Sequence, residues 1–482
     1  MAAILPGDTW LGGDVILEQF YLACLSQASY LVADETSRRA VVVDPRRDVD
    51  DYLTYAVEHG LTIELVVLTH VHADFVPGYS ELAARTGAEV AMAANAPVDF
   101  PVRRLADGEW LHLGDLASGA AVQVVATPGH TPESITLAVF ARAGDPAPTA
   151  ILTGDTLFIG DVGRPDLLGS VGRTPEDMAR ELYRSLHTRL LPLPDDVLVY
   201  PGHGAGSACG KALSTETVST LGEQRRSNYA LAEMDVDAFV AVVTEGLAEP
   251  PAYFAAEVAL NRAGHRPLDT LLEPPTLSPA EAVARGANGW LLLDLRDERE
   301  FAAGHLRGSV NVGLSGRFAE FAAAVAEPGQ AIALIGSAEE TREGRMRLAR
   351  VGLDAVTGAV NDLTPLVAQP EMLHNASRVT AASAAELLDA GADVQVVDVR
   401  GPGEHAPGAL PGAVNLPLPR LRDSLDSLDQ HRPVLVHCAG GYRSSTAASL
   451  MRARGFTDVS DLIGGYAAWT EHLDRRPSDA RP

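Results

Sequence analysis

The sequence predicts an α/β protein built of three domains, and two observations predict it. In the first half, five apolar runs each end in a short polar loop carrying His or Asp; in the second half, one motif recurs at an offset of 104 residues. A chain of 482 residues also exceeds what one hydrophobic core ordinarily serves.

The apolar runs of the first half cover residues 40–44, 65–69, 122–127, 150–153 and 197–200. Their length and β-branched content mark them as strands. The stretches Glu249-Pro250-Pro251 and Glu273-Pro274-Pro275 bracket the expected linker. Domain boundaries are therefore placed at 1–255, 270–370 and 372–478.

The repeat maps Leu291-Leu292-Leu293-Asp294-Leu295-Arg296 onto Gln395-Val396-Val397-Asp398-Val399-Arg400. The same offset carries Glu300 to Glu404, Gly304 to Gly408, Gly308 to Gly412 and Asn311 to Asn415. A period this long is a duplicated domain, since solenoid repeats are much shorter. In the second copy a strand at 433–437 precedes a helix-like stretch at 444–454. Strands alternating with helices predict parallel sheets in both copies.

Composition narrows the function classes. A formal charge of −26 would repel nucleic acid and anionic membrane, so neither is expected as a partner. No run approaches the roughly 20 apolar residues that span a bilayer, and the first residues lack a secretory pattern. A cytoplasmic location is expected. Three cysteines, Cys24, Cys209 and Cys438, do not make a disulfide framework. Any that matters is expected to matter as a thiolate.

The segment Thr69-His70-Val71-His72-Ala73-Asp74-Phe75 follows a strand-like run, and Pro128-Gly129-His130, Thr153-Gly154-Asp155 and Pro201-Gly202-His203 follow three others. Any one of these histidines alone reads as a surface or capping residue. Four strand ends that each carry imidazole or carboxylate read as a metal site. Whether His72 is itself a ligand is open at this level. The glycines of Gly202-His203-Gly204-Ala205-Gly206 lack the final glycine and the acidic partner of a dinucleotide loop.

The second motif is His437-Cys438-Ala439-Gly440-Gly441-Tyr442-Arg443-Ser444. A cysteine leaves a strand, crosses a glycine-rich turn and meets a helix start. Backbone N–H groups in such a loop form an anion cradle that lowers a thiol's pKa. Arg443 adds charge-assisted donors. A buried structural cysteine fits poorly beside two glycines and an arginine. Six residues separate the two loop ends inclusively, one fewer than a phosphate-type loop needs, which favours sulfur chemistry. No cysteine lies between Cys209 and Cys438, so the first copy has no nucleophile near Leu334-Ile335-Gly336-Ser337. Cys209, in a loop beside Lys211, is a possible auxiliary thiol whose blander reading is a non-catalytic loop residue; Cys24 is expected in a strand, as core.

Over about residues 1–250 the chain resembles the metallo-β-lactamase superfamily, which implies an αββα sandwich. The superfamily pattern is His-x-His-x-Asp-His; here Phe75 stands at the last position and cannot ligate. The remainder is similar to the mononuclear persulfide dioxygenase branch. That resemblance implies one Fe(II) per chain on His70, His130 and Asp155, a facial set with open positions, and His72, Asp74 and His203 supporting it from outside. It also suggests Arg164 as the receiver of a substrate carboxylate. Residues 372–478 resemble a single-domain rhodanese, with Cys438 and Arg443 catalytic and Ala439, Gly440, Gly441 and Tyr442 lining the substrate. Ala409 stands where that family usually has histidine. Together the resemblances imply oxidation of a low-molecular-weight thiol persulfide (glutathione, coenzyme A or similar) by O2 to sulfite, and sulfane-sulfur transfer that makes or uses thiosulfate. The chain is expected to form a homo-oligomer. The rival classes are a zinc thioester hydrolase of the glyoxalase II kind and a non-enzymatic sulfur carrier.

Overall fold

The computed structural model describes residues 9–10, 15–167, 172–247, 249–269, 273–364 and 369–475. The chain divides into two compact units, Met1–Leu268 and Asp269–Pro482.

In the first unit two sheets face each other. One runs in chain order through Thr9–Trp10, Val15–Leu22, Gln27–Asp34, Arg39–Val43, Thr62–Val67, Glu89–Ala93 and Arg103–Leu105. The other runs in the order Ser219–Thr220, Leu198–Pro201, Ala150–Gly154, Ile135–Phe140, Ala121–Ala126, Trp110–His112. Side chains alternate across a strand, so both faces of these apolar runs are used. Leu17, Val32, Val41 and Val67 meet Val122, Val124, Leu137 and Leu152 between the sheets. Ile16, Leu31, Val42 and Val66 turn outward onto Tyr52 and Ala56 of helix Asp50–Glu58 and Tyr79 and Leu82 of helix Tyr79–Thr86. Ala138, Ile151 and Val199 turn the other way, onto helices Pro175–Ser185 and Val236–Thr244. The result is the αββα sandwich.

Two local features depart from expectation. The expected linker region contains helix Phe254–Ala263, which belongs to the first unit: Val258 packs on the outer layer. Cys24 lies in the tight connection between strands Val15–Leu22 and Gln27–Asp34 and is partly exposed, so it is not core. The turn is made possible by Ser26 at φ 53°; within it Leu25 and Ser26 are buried while Cys24 is left partly open to solvent.

The second unit holds two parallel sheets. Strand order is Val310–Asn311, Leu291–Asp294, Ile332–Ile335, Val356–Val360 in the first copy. In the second it is Ser377–Val379, Val459–Leu462, Val434–His437, Gln395–Asp398, Val414–Asn415. The Asp-x-Arg motif has one job in both copies. Asp294 and Asp398 are buried at the strand ends, and each takes two nitrogens of the following arginine, Arg296 or Arg400. Among the described residues, no helix is long and apolar enough to cross a membrane.

Two buried histidines give this unit a definite acid response. Burial lowers the pKa of His305 and of His437 from 6.5 to about 4. Each native ring is neutral, so below pH 6.5 the unfolded chain binds protons that the native fold refuses, and stability falls as pH drops toward 4. The urea midpoint of this unit is expected to decline across that window, and the decline to flatten in the His305→Gln, His437→Gln double variant. A wild-type midpoint that stays level from pH 6.5 to 4 contradicts the account.

Candidate metal centre and cysteine loop

Strands Arg39–Val43, Thr62–Val67, Ala121–Ala126, Ala150–Gly154 and Leu198–Pro201 deliver Asp44, His70, His130, Asp155 and His203 in the loops that follow them. All five side chains are buried. One ligand atom each from His70, His130 and Asp155 lies within 4.8 Å of the others. His70 Nε2 is 3.9 Å and His130 Nε2 3.5 Å from Asp155 Oδ2.

Hydrogen bonds fix which ring nitrogen faces inward. His130 Nδ1 donates to the Arg164 carbonyl at 2.9 Å, which leaves Nε2 a lone pair. Thr69 Oγ1 donates to Asp44 Oδ2 at 2.7 Å, so at 2.9 Å from His70 Nδ1 it accepts from that ring. His70 Nε2 is thereby also left as an acceptor. Such outer partners orient metal-bound imidazoles. His72 is turned differently: Nε2 meets Asp44 Oδ1 at 3.0 Å, and Nδ1 has no hydrogen-bond partner. Asp44, held at φ 48°, thus serves both histidines of the motif. Sequence reasoning missed it and Thr69, although Asp44 closes a strand-like run as the ligands' neighbours do.

Electrostatics accounts for the charge states. Burial disfavours a charge on Asp155, yet His203, His70 and His130 around it hold its carboxyl far below the usual range. Burial, then the neighbouring His72, lowers His70; burial also lowers His130. His203 sits between two carboxylates, 2.8 Å from Asp155 Oδ1 and 2.8 Å from Asp74 Oδ2. Burial opposes its charge, but those carboxylates raise its pKa well above the ordinary value. His70 Nε2 and Asp155 Oδ2 are buried without a hydrogen-bond partner. Buried orphan atoms of this kind are costly unless something binds them, and two imidazoles with one carboxylate suit a divalent metal.

The other expected residues fall into place around this centre. Phe75 is fully buried, its ring 4.4 Å from that of His72, and offers no ligand. Asp74, His203 and the buried Cys209 form a second group of donors within 4.8 Å. Burial, reinforced by Asp74 and Asp155, pushes the Cys209 thiol up. Cys209 is therefore a buried neighbour of the centre and not a surface loop residue. Arg164, expected as a receiver of a substrate carboxylate, has its guanidinium buried and bound to both oxygens of Asp166 at 2.6 and 2.8 Å and to the Ala208 carbonyl at 3.1 Å. Asn261, on the helix within the expected linker, donates to the carbonyls of His72 and Phe75 at 2.8 and 2.9 Å, and sequence gave no sign of it.

In the second unit, strand Val434–His437 ends at the buried Cys438, and helix Tyr442–Ala453 begins after Gly441 at φ 105°. The Gly441 N–H points at Cys438 Sγ from 3.1 Å, and Ser444 Oγ lies 3.5 Å from it. The backbone of Tyr466 and Ala467 donates to the carbonyls of Cys438 and Ala439 at 2.7 and 3.1 Å. Two of the loop's carbonyls are thus bound outside while the Gly441 amide faces the sulfur. Gly465 must lack a Cβ, which would stand 2.5 Å from the Cys438 oxygen. Ala439 and Gly440 are exposed at the rim. Arg443 forms a two-point pair with Glu404, both bonds 2.7 Å, and Tyr442 donates its hydroxyl to the Gly313 carbonyl of the first copy. In that first copy only Gly336 and Ser337 separate strand Ile332–Ile335 from helix Ala338–Ala349, and Ser337 caps the helix.

Comparisons with known proteins agree with this architecture. Residues 22–203 match the metallo-beta-lactamase superfamily, and residues 278–357 and 380–472 each match the rhodanese-like domain. A metallo-beta-lactamase structure from Staphylococcus aureus is similar at 30% identity and TM-score 0.64, covering 72% of this chain and 99% of that one. A beta-lactamase hydrolase-like protein of Xylella fastidiosa is 30% identical over 266 residues, 48% of this chain and 57% of that protein, so the match spans little more than half its length. The human mitochondrial persulfide dioxygenase ETHE1 is 29% identical over 224 residues, 46% of this chain and 77% of that protein.

Gly163 offers a test of the centre that replaces none of its donors. A Cβ there would stand 1.9 Å from the Asp155 carbonyl oxygen and 3.0 Å from His130 Nδ1. Gly163→Ala is expected to fold and to lose metal affinity by about tenfold or more, the scale of outer-partner effects; wild-type metal content under chelator competition contradicts this. With two facing sheets and a buried His/Asp centre at their strand ends in the first unit, and a duplicated parallel-sheet fold in the second, the chain belongs to the metallo-β-lactamase superfamily and carries two rhodanese-like domains.

Proposed function

We propose that the first unit oxidises a low-molecular-weight thiol persulfide with O2 and that the second moves sulfane sulfur through Cys438. The balanced reaction is RSSH + O2 + H2O giving RSH and sulfurous acid. The observation that carries the reading is the donor set: inward lone pairs on His70 and His130, one partnerless oxygen on Asp155, and Phe75 where a further ligand would stand. Ferrous iron held there would supply the redox chemistry with dioxygen. The likeness to a persulfide dioxygenase supports the same substrate class.

The chain's own residues do the rest. Thr69, Asp44 and the Arg164 carbonyl keep the two imidazoles in one tautomer. The charged His203 is hydrogen-bonded to Asp155 through Nδ1 and ion-paired with Asp74 through Nε2, and so balances the buried carboxylates. At Cys438 the Gly441 amide stands ready to donate to a persulfide carried on the sulfur. Attack by sulfite on the outer sulfur releases thiosulfate and returns the Cys438 thiolate; the reverse step loads the enzyme from thiosulfate.

One observation favours a rival. Asp74, His203 and Cys209 are a second donor group beside the first, as a two-metal zinc hydrolase would need. Metal analysis after anaerobic purification separates the two. One iron per chain with oxygen uptake on glutathione or coenzyme A persulfide supports the dioxygenase; two zinc ions per chain with thioesterase activity retires it. Asp155→Ala is expected to abolish iron binding and oxygen uptake while sulfur transfer continues. Cys438→Ser is expected to do the reverse, and loss of oxygen uptake in it would contradict the division of labour.

A further inference from the structure

Helix Tyr442–Ala453 carries the Cys438 loop at its start, and its composition is odd for its position. It is buried from Ser444 through Met451, yet it contains Ser444, Ser445, Thr446 and Ser449. Buried hydroxyls need partners. Ser444 serves the loop itself. Ser445 and Ser449, one turn apart and so on one face, serve the other copy. Ser445 Oγ donates to Asn311 Oδ1 at 2.9 Å, and the Asn311 N–H donates to Ser449 Oγ at 2.9 Å.

The repeat separates what Asn311 does for its own fold from what it does for the helix. Asn415, its counterpart, gives Nδ2 to the carbonyls of Asp398 and Arg400 at 3.0 and 2.8 Å. Asn311 gives Nδ2 to Asp294 and Arg296 in the same way, at 3.2 and 2.8 Å. Those bonds belong to the domain. The remaining oxygen and backbone N–H of Asn311 are turned to the neighbouring helix. Two residues on, the Gly313 carbonyl takes the Tyr442 hydroxyl, and the Tyr442 ring packs on Phe321 with centroids 5.3 Å apart.

We infer that the cysteine-less copy is a working part of the sulfur-transfer site: Asn311 and Gly313 are positioning residues that hold Ser445 and Tyr442, and through them the helix start whose amide faces Cys438 Sγ. The inference rests on the reading of Cys438 as the sulfur carrier. Its physical content is that the Gly441 N–H stays 3.1 Å from the sulfur only while the following turn is held in register. A helix start turned so that this N–H no longer aims at the sulfur loses much of that bond, because hydrogen bonds weaken steeply with misalignment.

The test compares the full-length wild type with Ser445→Ala and Tyr442→Phe, each removing one hydroxyl from the seam. The charged groups near the thiol, Arg443 with Glu404 and the Asp398, Arg400 and His405 cluster beside His437, are unchanged in both. Cyanide-accepted sulfur transfer from thiosulfate gives turnover and KM, and iodoacetamide alkylation of Cys438 against pH gives the thiolate titration without any turnover. The expected result is turnover reduced about tenfold with KM within about twofold, as for a group acting on the reacting centre and not on binding. The alkylation midpoint should move up by about one pH unit as the sulfur anion loses amide support. Variants that melt earlier but keep the wild-type alkylation profile and turnover show a seam that only packs, and overturn the inference. A wild type that alkylates normally at Cys438 but transfers no sulfur refutes the sulfur-carrier reading instead.

Discussion

A carboxylate that has lost its water must find its compensation among its neighbours, and Asp155 is the clearest instance in this protein. Desolvation of such a group is worth several kcal/mol, and three imidazoles close around it to meet that cost. Each of the three is in turn constrained: His130 by the Arg164 carbonyl, His70 by Thr69 and Asp44, His203 by Asp74. The loops that carry Asp155 and these three histidines follow four different strands, so the whole sandwich is committed to one point. Arg164 illustrates the same economy. Its side chain neutralises Asp166 while its backbone oxygen sets the tautomer of His130.

Much of this was legible in the sequence, for identifiable reasons. Strand positions are readable because apolar runs buried on both faces have a distinctive length and composition, and the residue types at their ends survive as a pattern. The duplication is readable because Asp294 and Asp398 need their arginines two positions on, a local geometry that leaves a local motif. What escaped reading is whatever depends on distant pairing. Nothing near Asn261 announces that it will hold the carbonyls of His72 and Phe75, and the Pro-Pro pairs around its helix imitate a linker. The charge of Arg164 is visible in sequence, but the claim of Asp166 upon it is not. Cys209 is the hardest case, since the sequence shows only a loop beside Lys211 while the fold buries its thiol against Asp74 and His203.

The two rhodanese-like copies show how a duplicated fold divides its labour. Both keep the buried Asp–Arg pair and the asparagine that ties the neighbouring strand to it. Those are requirements of the fold and are met in both copies. The junction between the central strand and its helix is a requirement of chemistry, and there the copies part. In the second, four residues from Cys438 to Gly441 wrap a sulfur atom; in the first, Gly336 and Ser337 make the shortest turn into a helix cap.

That difference in junction length has a consequence for anyone rebuilding the first copy. A cysteine placed at Gly336 or Ser337 would stand in a connection of two residues, with Ser337 already committed to capping the helix. The longer loop of the second copy is what lets the Gly441 amide turn back toward its sulfur. Lengthening the junction, and not a point substitution alone, would be needed to make room for such a contact.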